Sequence, residues 1–246
     1  MSSYVVTGAS RGIGLEFVKQ LSADSENKVF AIVRNKANAT NLHALSRDNV
    51  TILQADVTDP AALKVAAEVS TATDNKLDYL INNAGSSTNP GLTLDRFNTV
   101  GVVHSTNAFL PLLKNGSAKK ILTLSSCLGD LDFTLAGEIE AQPSYSIAKA
   151  ALNMVVAKYA VQFKAQGFVF MAISPGIVDV SGTNESGPGA VEEFKMLSRG
   201  VPKAAPDFKG FITPEDSVKK QLEVLNRWTV DESGAYVSHL GNKQWL

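Results

Sequence analysis

Residues 7–14 read Thr-Gly-Ala-Ser-Arg-Gly-Ile-Gly, between a short apolar run at 4–6 and an apolar stretch at 13–21. The three glycines of this stretch suit a sharp turn that leads from a strand into a helix and lets the backbone approach a ligand closely. The N–H groups of such a turn and the positive end of the following helix bind phosphate groups. A tight turn without a ligand is the alternative, but the strand pattern before it and the helix pattern after it favour a dinucleotide-binding turn.

Short apolar runs alternate with longer helical patterns from one end of the chain to the other. The sequence predicts strands at 4–6, 29–33, 50–53, 77–81, 120–124, 169–173 and 235–237. It predicts helices at 13–21, 60–69, about 92–113, 144–164 and 214–228, two of which have Pro60 and Pro214 in their first turns. The alternation predicts an α/β fold: a single-domain Rossmann fold over residues 1–246, with a doubly wound, seven-stranded parallel sheet and helices on both faces.

Two segments, 127–143 and 179–210, fit this alternation poorly. We expect both to be irregular and to form the rim of a substrate pocket, because long loops in a compact fold are usually functional. Their apolar side chains either favour a hydrophobic or aromatic substrate or merely anchor the loops to the core. The candidates are Phe133, Leu135, Ile139, Phe194, Met196, Leu197, Phe208 and Phe211.

The composition excludes several classes of protein. The chain has 246 residues, of which 44% are hydrophobic and 19% are charged, and this is enough for a large core. A formal net charge of −1 argues against a nucleic-acid-binding surface, and no apolar run is long enough to cross a membrane. No signal or transit segment is recognised, so we expect a cytoplasmic protein.

The residue counts also argue against metal and disulfide chemistry. Cys127 is the single cysteine, which excludes an internal disulfide and a multi-cysteine metal site. His43, His104 and His239 are too far apart for the His-x-x-x-His spacing of zinc enzymes. We therefore expect no metal.

The end of the second predicted strand indicates which nicotinamide dinucleotide the turn would bind. In dinucleotide folds an acidic residue about 20 positions further on binds the ribose 2′-hydroxyl of NAD. Arg34 follows Gly14 by 20 positions here, with no carboxylate beside it at the strand end. Because a guanidinium binds a 2′-phosphate through paired hydrogen bonds, Arg34 favours NADP(H). The alternative is a solvated surface arginine.

A candidate acid–base pair lies at the start of the helix predicted at 144–164. Tyr145 and Lys149 are four residues apart, which places the phenol and the ammonium on one face of the helix. The ordinary pKa of tyrosine is about 10, and we expect the nearby cation to lower it. Such a phenol can protonate the oxygen that forms when hydride attacks a carbonyl. The same spacing also occurs on ordinary amphipathic helices that carry a surface lysine.

The motifs of the chain, taken in order, resemble those of the short-chain dehydrogenase/reductases. The family's cofactor turn reads Thr-Gly-x-x-x-Gly-x-Gly, as residues 7–14 do, and its Asn-Asn-Ala-Gly is found at 82–85. Its Ser-Ser-x-x-Gly and Tyr-x-x-x-Lys are found at 125–129 and 145–149. The strand edge at 33–35, the long spacing from serine to tyrosine and the tail with its tryptophan are similar to fungal norsolorinic-acid-type ketoreductases and to carbonyl-reductase-like members.

The resemblance implies a catalytic group of Asn98, Ser126, Tyr145 and Lys149. Ser126 matches the second serine of the family's pair, although a serine at this place could simply cap the strand. Asn98 matches the family wording Asn-x-x-Gly, followed by Pro-x-Leu, and is preferred to the nearby Asn107.

The resemblance also implies cofactor contacts along the ends of the strands. The implied contacts are Gly8, Ser10, Arg11, Gly12, Ile13, Gly14, Arg34, Asp56, Val57, Asn83, Ala84, Gly85, Tyr145, Lys149, Pro175, Gly176, Ile177 and Val178. Arg11 would be a second cation for a 2′-phosphate, as in NADP-preferring relatives. Val180 stands where many relatives have threonine, so Ser181 or Thr183 would have to supply that hydrogen bond.

Together these features imply an NADPH-dependent oxidoreductase that reduces a ketone or aldehyde to an alcohol, with Tyr145 as general acid. The substrate would be a hydrophobic or aromatic carbonyl compound, such as an intermediate of secondary metabolism. The alternatives are a reductase of C=N or C=C bonds on the same scaffold and a non-catalytic NADP-binding regulatory protein. The family's usual association through its long helices implies a homodimer or homotetramer.

Overall fold

Seven strands form one parallel sheet within residues 1–85, 96–181 and 199–246, which are the residues described by the structure, a computed structural model. The strands are β1 (Ser3–Thr7), β2 (Lys28–Val33), β3 (Val50–Gln54), β4 (Tyr79–Asn82), β5 (Lys120–Leu124), β6 (Val169–Ser174) and β7 (Tyr236–Ser238). Their order is β3-β2-β1-β4-β5-β6-β7, and each neighbouring pair is parallel. The order reverses between β1 and β4, where sheets of this kind bind ligands outside the carboxyl ends of their strands.

Helices pack on both faces of the sheet. They are α1 (Gly12–Leu21), α2 (Thr40–His43), α3 (Ala66–Ala72), α4 (Gly101–Asn115), α5 (Leu131–Ala136), α6 (Pro143–Phe163) and α7 (Pro214–Arg227). Shorter 3-10 turns lie at Ala62–Val65, Cys127–Gly129, Lys164–Gln166 and Val230–Glu232, and a π-helical turn lies at Arg96–Val100. Residues 199–204 are also helical.

Neighbouring residues along each strand belong to two separate cores, because successive side chains of a strand point to opposite faces. On one face, Val6 of β1 belongs to the same buried cluster as Phe17 of α1 and Leu225 of α7. On the other face, Val5 shares a cluster with Phe109 of α4 and with residues of α6. This confirms the doubly wound α/β sheet, and it explains why the strands are apolar at nearly every position.

The helix predicted at 60–69 begins later than expected. The Asp59 carboxylate accepts a hydrogen bond from the N–H of Ala61 at 2.9 Å, which closes a turn around Pro60. A 3-10 turn at Ala62–Val65 follows and continues into α3. Pro60 therefore precedes the helix instead of lying in its first turn.

The prediction that segment 127–143 is irregular is wrong. The Asp130 carboxylate accepts a hydrogen bond from the N–H of Phe133 at 2.9 Å and caps the short helix α5. A 3-10 turn precedes α5, and α6 begins with Pro143 in its first turn. The sequence signal was missed because a helix of six residues is too short to show a hydrophobic period.

The other predicted elements agree with the structure to within a few residues where they are described. The Thr213 hydroxyl accepts a hydrogen bond from the N–H of Asp216 at 3.0 Å, and Pro214 opens α7 as predicted. Strand β4 begins at Tyr79, two residues later than predicted. The N–H of Leu77, which precedes the strand, donates to the Leu112 carbonyl of α4 at 3.1 Å. The short helix α2 was not predicted. The start of the helix predicted from about residue 92 and most of 179–210 lie outside the described residues.

Candidate active site

The glycine turn between β1 and α1 packs against the end of β4. Gly8 and Gly12 have φ angles of +66° and +55°, which favour glycine. A Cβ atom on Gly8 would lie 2.8 Å from the Cα atom of Ala84, and one on Gly14 would lie 2.3 Å from the Gly8 carbonyl oxygen. Side chains at these positions would therefore force the turn away from the strand end.

Thr7 and Asn83 hold the two strand ends together. The Asn83 amide donates to the carbonyl oxygens of Thr7 and Gly8, both at 3.0 Å. The Thr7 hydroxyl accepts from the N–H groups of Asn83 and Ala84, both at 3.1 Å. The side chain of Asn83 thus shapes the glycine turn. Its predicted contact with a cofactor stays a prediction, and the role of Thr7 was not foreseen.

The N-terminus of α1 can accept an anion. Its first turn contains no acidic residue, and Arg11 precedes it as an exposed residue. Ser10 and Ile13 lie in the same turn and are half-buried. The N–H groups and the positive end of a helix start whose first turn has no carboxylate favour bound phosphate.

Arg34 and Asp56 lie near each other at the ends of β2 and β3. Burial raises the pKa of the Asp56 carboxyl, but hydrogen bonds from the Thr58 N–H at 2.8 Å and the Thr58 hydroxyl at 2.7 Å, together with the charge of Arg34, hold it below its usual value. The carboxylate of Asp56 is therefore ionised and engaged with Thr58. Val57, the next residue, is buried and packs against Gly101 at the start of α4.

Helix α6 carries Tyr145 and Lys149 on one face, as predicted. Lys149 is only 3% exposed, and its ammonium donates a hydrogen bond to the Leu124 carbonyl at 2.6 Å. The same nitrogen lies 5.5 Å from the centre of the Tyr145 ring. Lys149 is therefore not the surface lysine of an ordinary amphipathic helix.

Asn98 meets Lys149 at Gly85. A Cβ atom on Gly85 would lie 3.1 Å from the Asn98 side-chain oxygen and 3.6 Å from the Lys149 nitrogen. Asn98 is fully buried in the π-helical turn before α4. Asn107 instead accepts a hydrogen bond from the Tyr159 hydroxyl at 2.7 Å. The structure thus brings Asn98, and not Asn107, to the predicted catalytic group.

Ser126 lies at the end of β5 and shares a hydrogen bond with the Tyr145 hydroxyl. Its side-chain oxygen also accepts a hydrogen bond from the N–H of Leu128 at 3.2 Å. The neighbouring Ser125 donates to the Asn153 amide oxygen at 2.6 Å and so points to another part of α6. Of the two serines, Ser126 is the one that reaches the tyrosine.

The expected lowering of the tyrosine pKa is wrong for the described structure. Burial raises the pKa of Tyr145 to about 12, although the hydrogen bond from Ser126 acts in the other direction. Burial is the largest cause of the shift, because it disfavours the charged phenolate. The phenol is therefore protonated at neutral pH, which is the form that a general acid needs.

The Pro175–Val178 segment lies across the end of β6 and is held from two sides. The Ser217 hydroxyl of α7 donates to the Pro175 carbonyl at 2.6 Å. Gly176 has a φ angle of +84°, and a Cβ atom there would lie 3.0 Å from the Cε1 atom of His239. Ile177 accepts a hydrogen bond from the N–H of Ile212 at 3.0 Å. No local sequence signal marked Ser217 or His239 as supports of this segment.

Of the two residues expected to replace the missing threonine, the structure describes Ser181. Ser181 donates its N–H to the Asp179 carboxylate at 3.0 Å, and Val180 is half-buried. Thr183 lies outside the described residues. The cofactor contact expected from Ser181 or Thr183 stays a prediction.

A cavity of about 610 Å³ lies between the Pro-Gly segment, residues 204–212 and the C-terminal residues. Phe133, Phe208 and Trp245 line it, and the first two were predicted rim residues. Ile139 is buried in the cluster beside the cavity.

Other predicted rim residues do not line this cavity. Leu135 and Phe211 are 75% and 52% exposed and are not among its lining residues, so their role at the rim stays a prediction. Phe194, Met196 and Leu197 lie outside the described residues. The contribution of Trp245 and Leu246 was missed, because nothing local shows where a chain end packs.

The described residues contain no group of three or more His, Cys, Asp or Glu side chains placed to hold a metal ion. None of their helices is both long and apolar enough to cross a membrane.

A parallel sheet whose order reverses at a glycine turn, beside a serine, a tyrosine and a lysine, defines an oxidoreductase that uses a nicotinamide dinucleotide. The chain belongs to the short-chain dehydrogenase family, because the family model described as "short chain dehydrogenase" matches residues 3–189. The resemblance seen in the sequence motifs and the single-domain fold class are thereby confirmed.

Relatives that match nearly the whole length of this chain include fungal and animal proteins. The short-chain dehydrogenase/reductase atnB of Arthrinium sp and AacuF of Aspergillus aculeatus are each 42% identical to it, with 100% of both chains covered. The NADPH-bound carbonyl reductase from chicken fatty liver is 30% identical, with a TM-score of 0.80 over 98% of both chains. The similarity to fungal relatives and to carbonyl-reductase-like members agrees with the sequence motifs.

Proposed function

We propose that this protein reduces a ketone or aldehyde to an alcohol with NADPH, and that Tyr145 is the general acid. The observation that carries the proposal is the hydrogen bond between the hydroxyls of Ser126 and Tyr145, next to a buried Lys149. A carbonyl oxygen placed between the two hydroxyls would accept a hydrogen bond from each, and both bonds strengthen as negative charge develops on it.

The residues at the carboxyl ends of the strands fit a nicotinamide dinucleotide. The crowded glycine turn leaves backbone N–H groups at the start of α1 for the pyrophosphate, and Gly176 lets the Pro-Gly segment lie close to a flat ring. When bound, the cofactor supplies the hydride. The chain's own residues hold it and provide the proton.

NADP(H) is favoured over NAD(H) by the residues at the ends of β2 and β3. Arg34 and Arg11 are exposed cations near the place of a ribose 2′-phosphate. The chicken relative that holds NADPH supports this assignment.

The proton for the substrate oxygen comes from the Tyr145 hydroxyl. Because burial holds the pKa of this phenol at about 12, the group remains protonated over the physiological range. The Lys149 ammonium lies over the Tyr145 ring, 5.5 Å from its centre. Its positive charge stabilises the phenolate that remains after the proton has been transferred. The Asn98 side chain lies beside Lys149 at Gly85. Its role is to hold the lysine in position.

The aromatic side chains of the cavity favour a hydrophobic or aromatic carbonyl substrate, such as an intermediate of secondary metabolism. Phe133, Phe208 and Trp245 offer flat apolar surfaces for it beside Ile177.

The outer face of α6 suggests self-association into a homodimer or homotetramer. Ile147, Met154 and Val161 recur every seven residues and are 45%, 61% and 79% exposed. Residues seven apart lie along one face of the helix, where they could pack against the same helix of a second copy. A sedimentation experiment that gives the monomer mass would contradict the expectation. The cytoplasmic location stays a prediction.

The central test is Tyr145→Phe. The variant keeps the ring but removes the acid, so we expect NADPH oxidation with an accepted carbonyl substrate to fall by about 100- to 10,000-fold, whereas NADPH binding stays nearly unchanged. The substrate is first found by screening a panel that includes quinones and polyketide-like ketones.

Tyr159→Phe is the matched control, since it removes a hydroxyl from the same helix that bonds to Asn107. Wild-type turnover in Tyr145→Phe would refute the acid role. NADPH binding without turnover on any carbonyl, imine or alkene substrate would favour the regulatory alternative.

A further inference from the structure

The backbone of Ser126 is bound by a side chain from the far end of the chain. Tyr236 of β7 donates its hydroxyl hydrogen to the Ser126 carbonyl in a short hydrogen bond. The same carbonyl accepts the N–H of Gly129 at 2.9 Å, which closes the 3-10 turn after β5. Ser126 is thus bonded at its side chain by Tyr145 and at its backbone by Tyr236.

Asn153 joins this contact to helix α6. Its amide oxygen accepts the Ser125 hydroxyl at 2.6 Å, and its side chain is hydrogen-bonded to the Tyr236 hydroxyl. Tyr145, Lys149 and Asn153 are spaced by four residues and therefore lie along one face of α6. A continuous chain of hydrogen bonds runs from Ser125 through Asn153 and Tyr236 to the Ser126 carbonyl. The hydrogen bonds within such a chain polarise and strengthen one another.

The Tyr236 ring is fixed by the C-terminal residues. It packs on the Trp245 ring with 4.5 Å between the ring centres. The Lys243 ammonium lies 4.6 Å from the centre of the first ring and 4.7 Å from that of the second. Lys243 also forms an ion pair with Asp130, the residue that caps α5, at 3.9 Å. A ring held in this way keeps its hydroxyl in one place.

We propose that Tyr236 is a positioning residue that, with Asn153, holds the backbone of Ser126 so that the serine hydroxyl meets Tyr145 and the substrate oxygen. The proposal rests on the catalytic role of Ser126 proposed above. Tyr236 acts on Ser126 through the hydrogen bond of its hydroxyl group and not through the packing of its ring. Small displacements of a hydrogen-bond donor at a reacting oxygen lower the rate of the chemical step more than the binding of either substrate.

The experiment compares Tyr236→Phe with wild-type protein and with Tyr159→Phe. Each change removes a tyrosine hydroxyl and keeps the ring, but the Tyr159 hydroxyl bonds to Asn107 of α4, and its ring stacks on Phe170 of β6. We expect Tyr236→Phe to lower kcat by about 10-fold, the effect of one hydrogen bond. The KM for NADPH and the free energy of unfolding should match those of Tyr159→Phe.

A double-variant cycle shows whether the effect passes through the serine. In a Ser126→Ala background, measured under single-turnover conditions, Tyr236→Phe should change the rate by less than about 2-fold, because the hydroxyl that Tyr236 positions is gone. An equal 10-fold loss in both backgrounds would overturn the proposal. So would full activity of Tyr236→Phe.

The outcomes separate this inference from the proposed function. If Ser126→Ala and Tyr145→Phe lose activity while Tyr236→Phe does not, the reaction stands and the positioning role is wrong. If Ser126→Ala turns over like the wild type, the role of Ser126 fails, and the role of Tyr236 fails with it.

Discussion

His239 should make the folded protein sensitive to acid. Its side chain is 4% exposed and lies against the Pro175–Val178 segment, near Lys220. Within the described part of the chain, its Nδ1 atom has no hydrogen-bond partner. Burial, and to a lesser extent the charge of Lys220, lower the pKa of His239 from the ordinary 6.5 to about 4. The imidazole is therefore buried in its neutral form.

The size and sign of the effect follow from linkage between protonation and folding. The unfolded chain binds a proton at about pH 6.5, whereas the folded chain resists it until about pH 4. The stability that His239 contributes is present above pH 6.5 and is lost as the pH falls through this window. At about 1.4 kcal/mol for each tenfold change in proton affinity, the shift from 6.5 to about 4 corresponds to about 3.5 kcal/mol in all, of which about 3 kcal/mol is lost by pH 4.

Urea unfolding at pH 7, 5.5 and 4 measures this loss directly. In His239→Asn the neutral amide cannot take up the proton, so the fall in unfolding free energy between pH 7 and pH 4 should be smaller than in the wild type by about 3 kcal/mol. His43→Gln removes an exposed imidazole and should follow the wild type. If His239→Asn and the wild type lose stability in parallel, the imidazole is not the buried neutral group argued here.

Two further predictions concern the cofactor site. Arg34→Asp should shift the ratio of kcat/KM for NADPH over NADH by at least about 10-fold towards NADH, because a charged hydrogen bond is replaced by repulsion; an unchanged ratio would refute the role of Arg34. Gly14→Ala should lower the unfolding free energy by about 1 to 3 kcal/mol and weaken NADPH binding, since the new methyl group would meet the Gly8 carbonyl at 2.3 Å and the Asn83 amide at 2.4 Å.

Gly167→Ala is the control for the glycine turn. It lies at a helix end with a φ angle of +75° and with no atom within 4 Å of an added Cβ, so it carries only backbone strain. Loss of stability without loss of NADPH binding is expected there. Equal weakening of NADPH binding in both variants would mean that the close packing of Gly14 has no special role.

Much of the fold was predictable because its signals are local. The apolar runs predicted all seven strands. The prolines and N-cap residues predicted the start of one helix correctly and that of another wrongly. Thr213 and Pro214 open α7 as expected, whereas Asp59 and Pro60 form a turn before the helix. The same residue types serve both purposes, and which one occurs depends on how the next turn packs.

The candidate site was predictable where its residues share one element or one motif. The spacing of Tyr145 and Lys149 fixes their common helix face, and the glycines of the turn are needed for its backbone geometry. The direction of the Tyr145 pKa was predicted wrongly, because burial depends on what packs around the phenol and not on the residue four positions away. The Asn83 amide likewise has a partner that the motif did not reveal.

By itself, the sequence determined the parallel sheet, the glycine turn and the helix face that carries the tyrosine and the lysine. These features depend on backbone periodicity over a few residues, which the amino-acid types specify directly. Only the tertiary structure shows the contact between Tyr145 and Ser126, the serine that the family resemblance implied, and that Tyr236, 110 residues further along the chain, binds the backbone of that serine. Such contacts arise where the order of the strands brings distant strand ends to one edge, and spacing along the chain carries no record of that order.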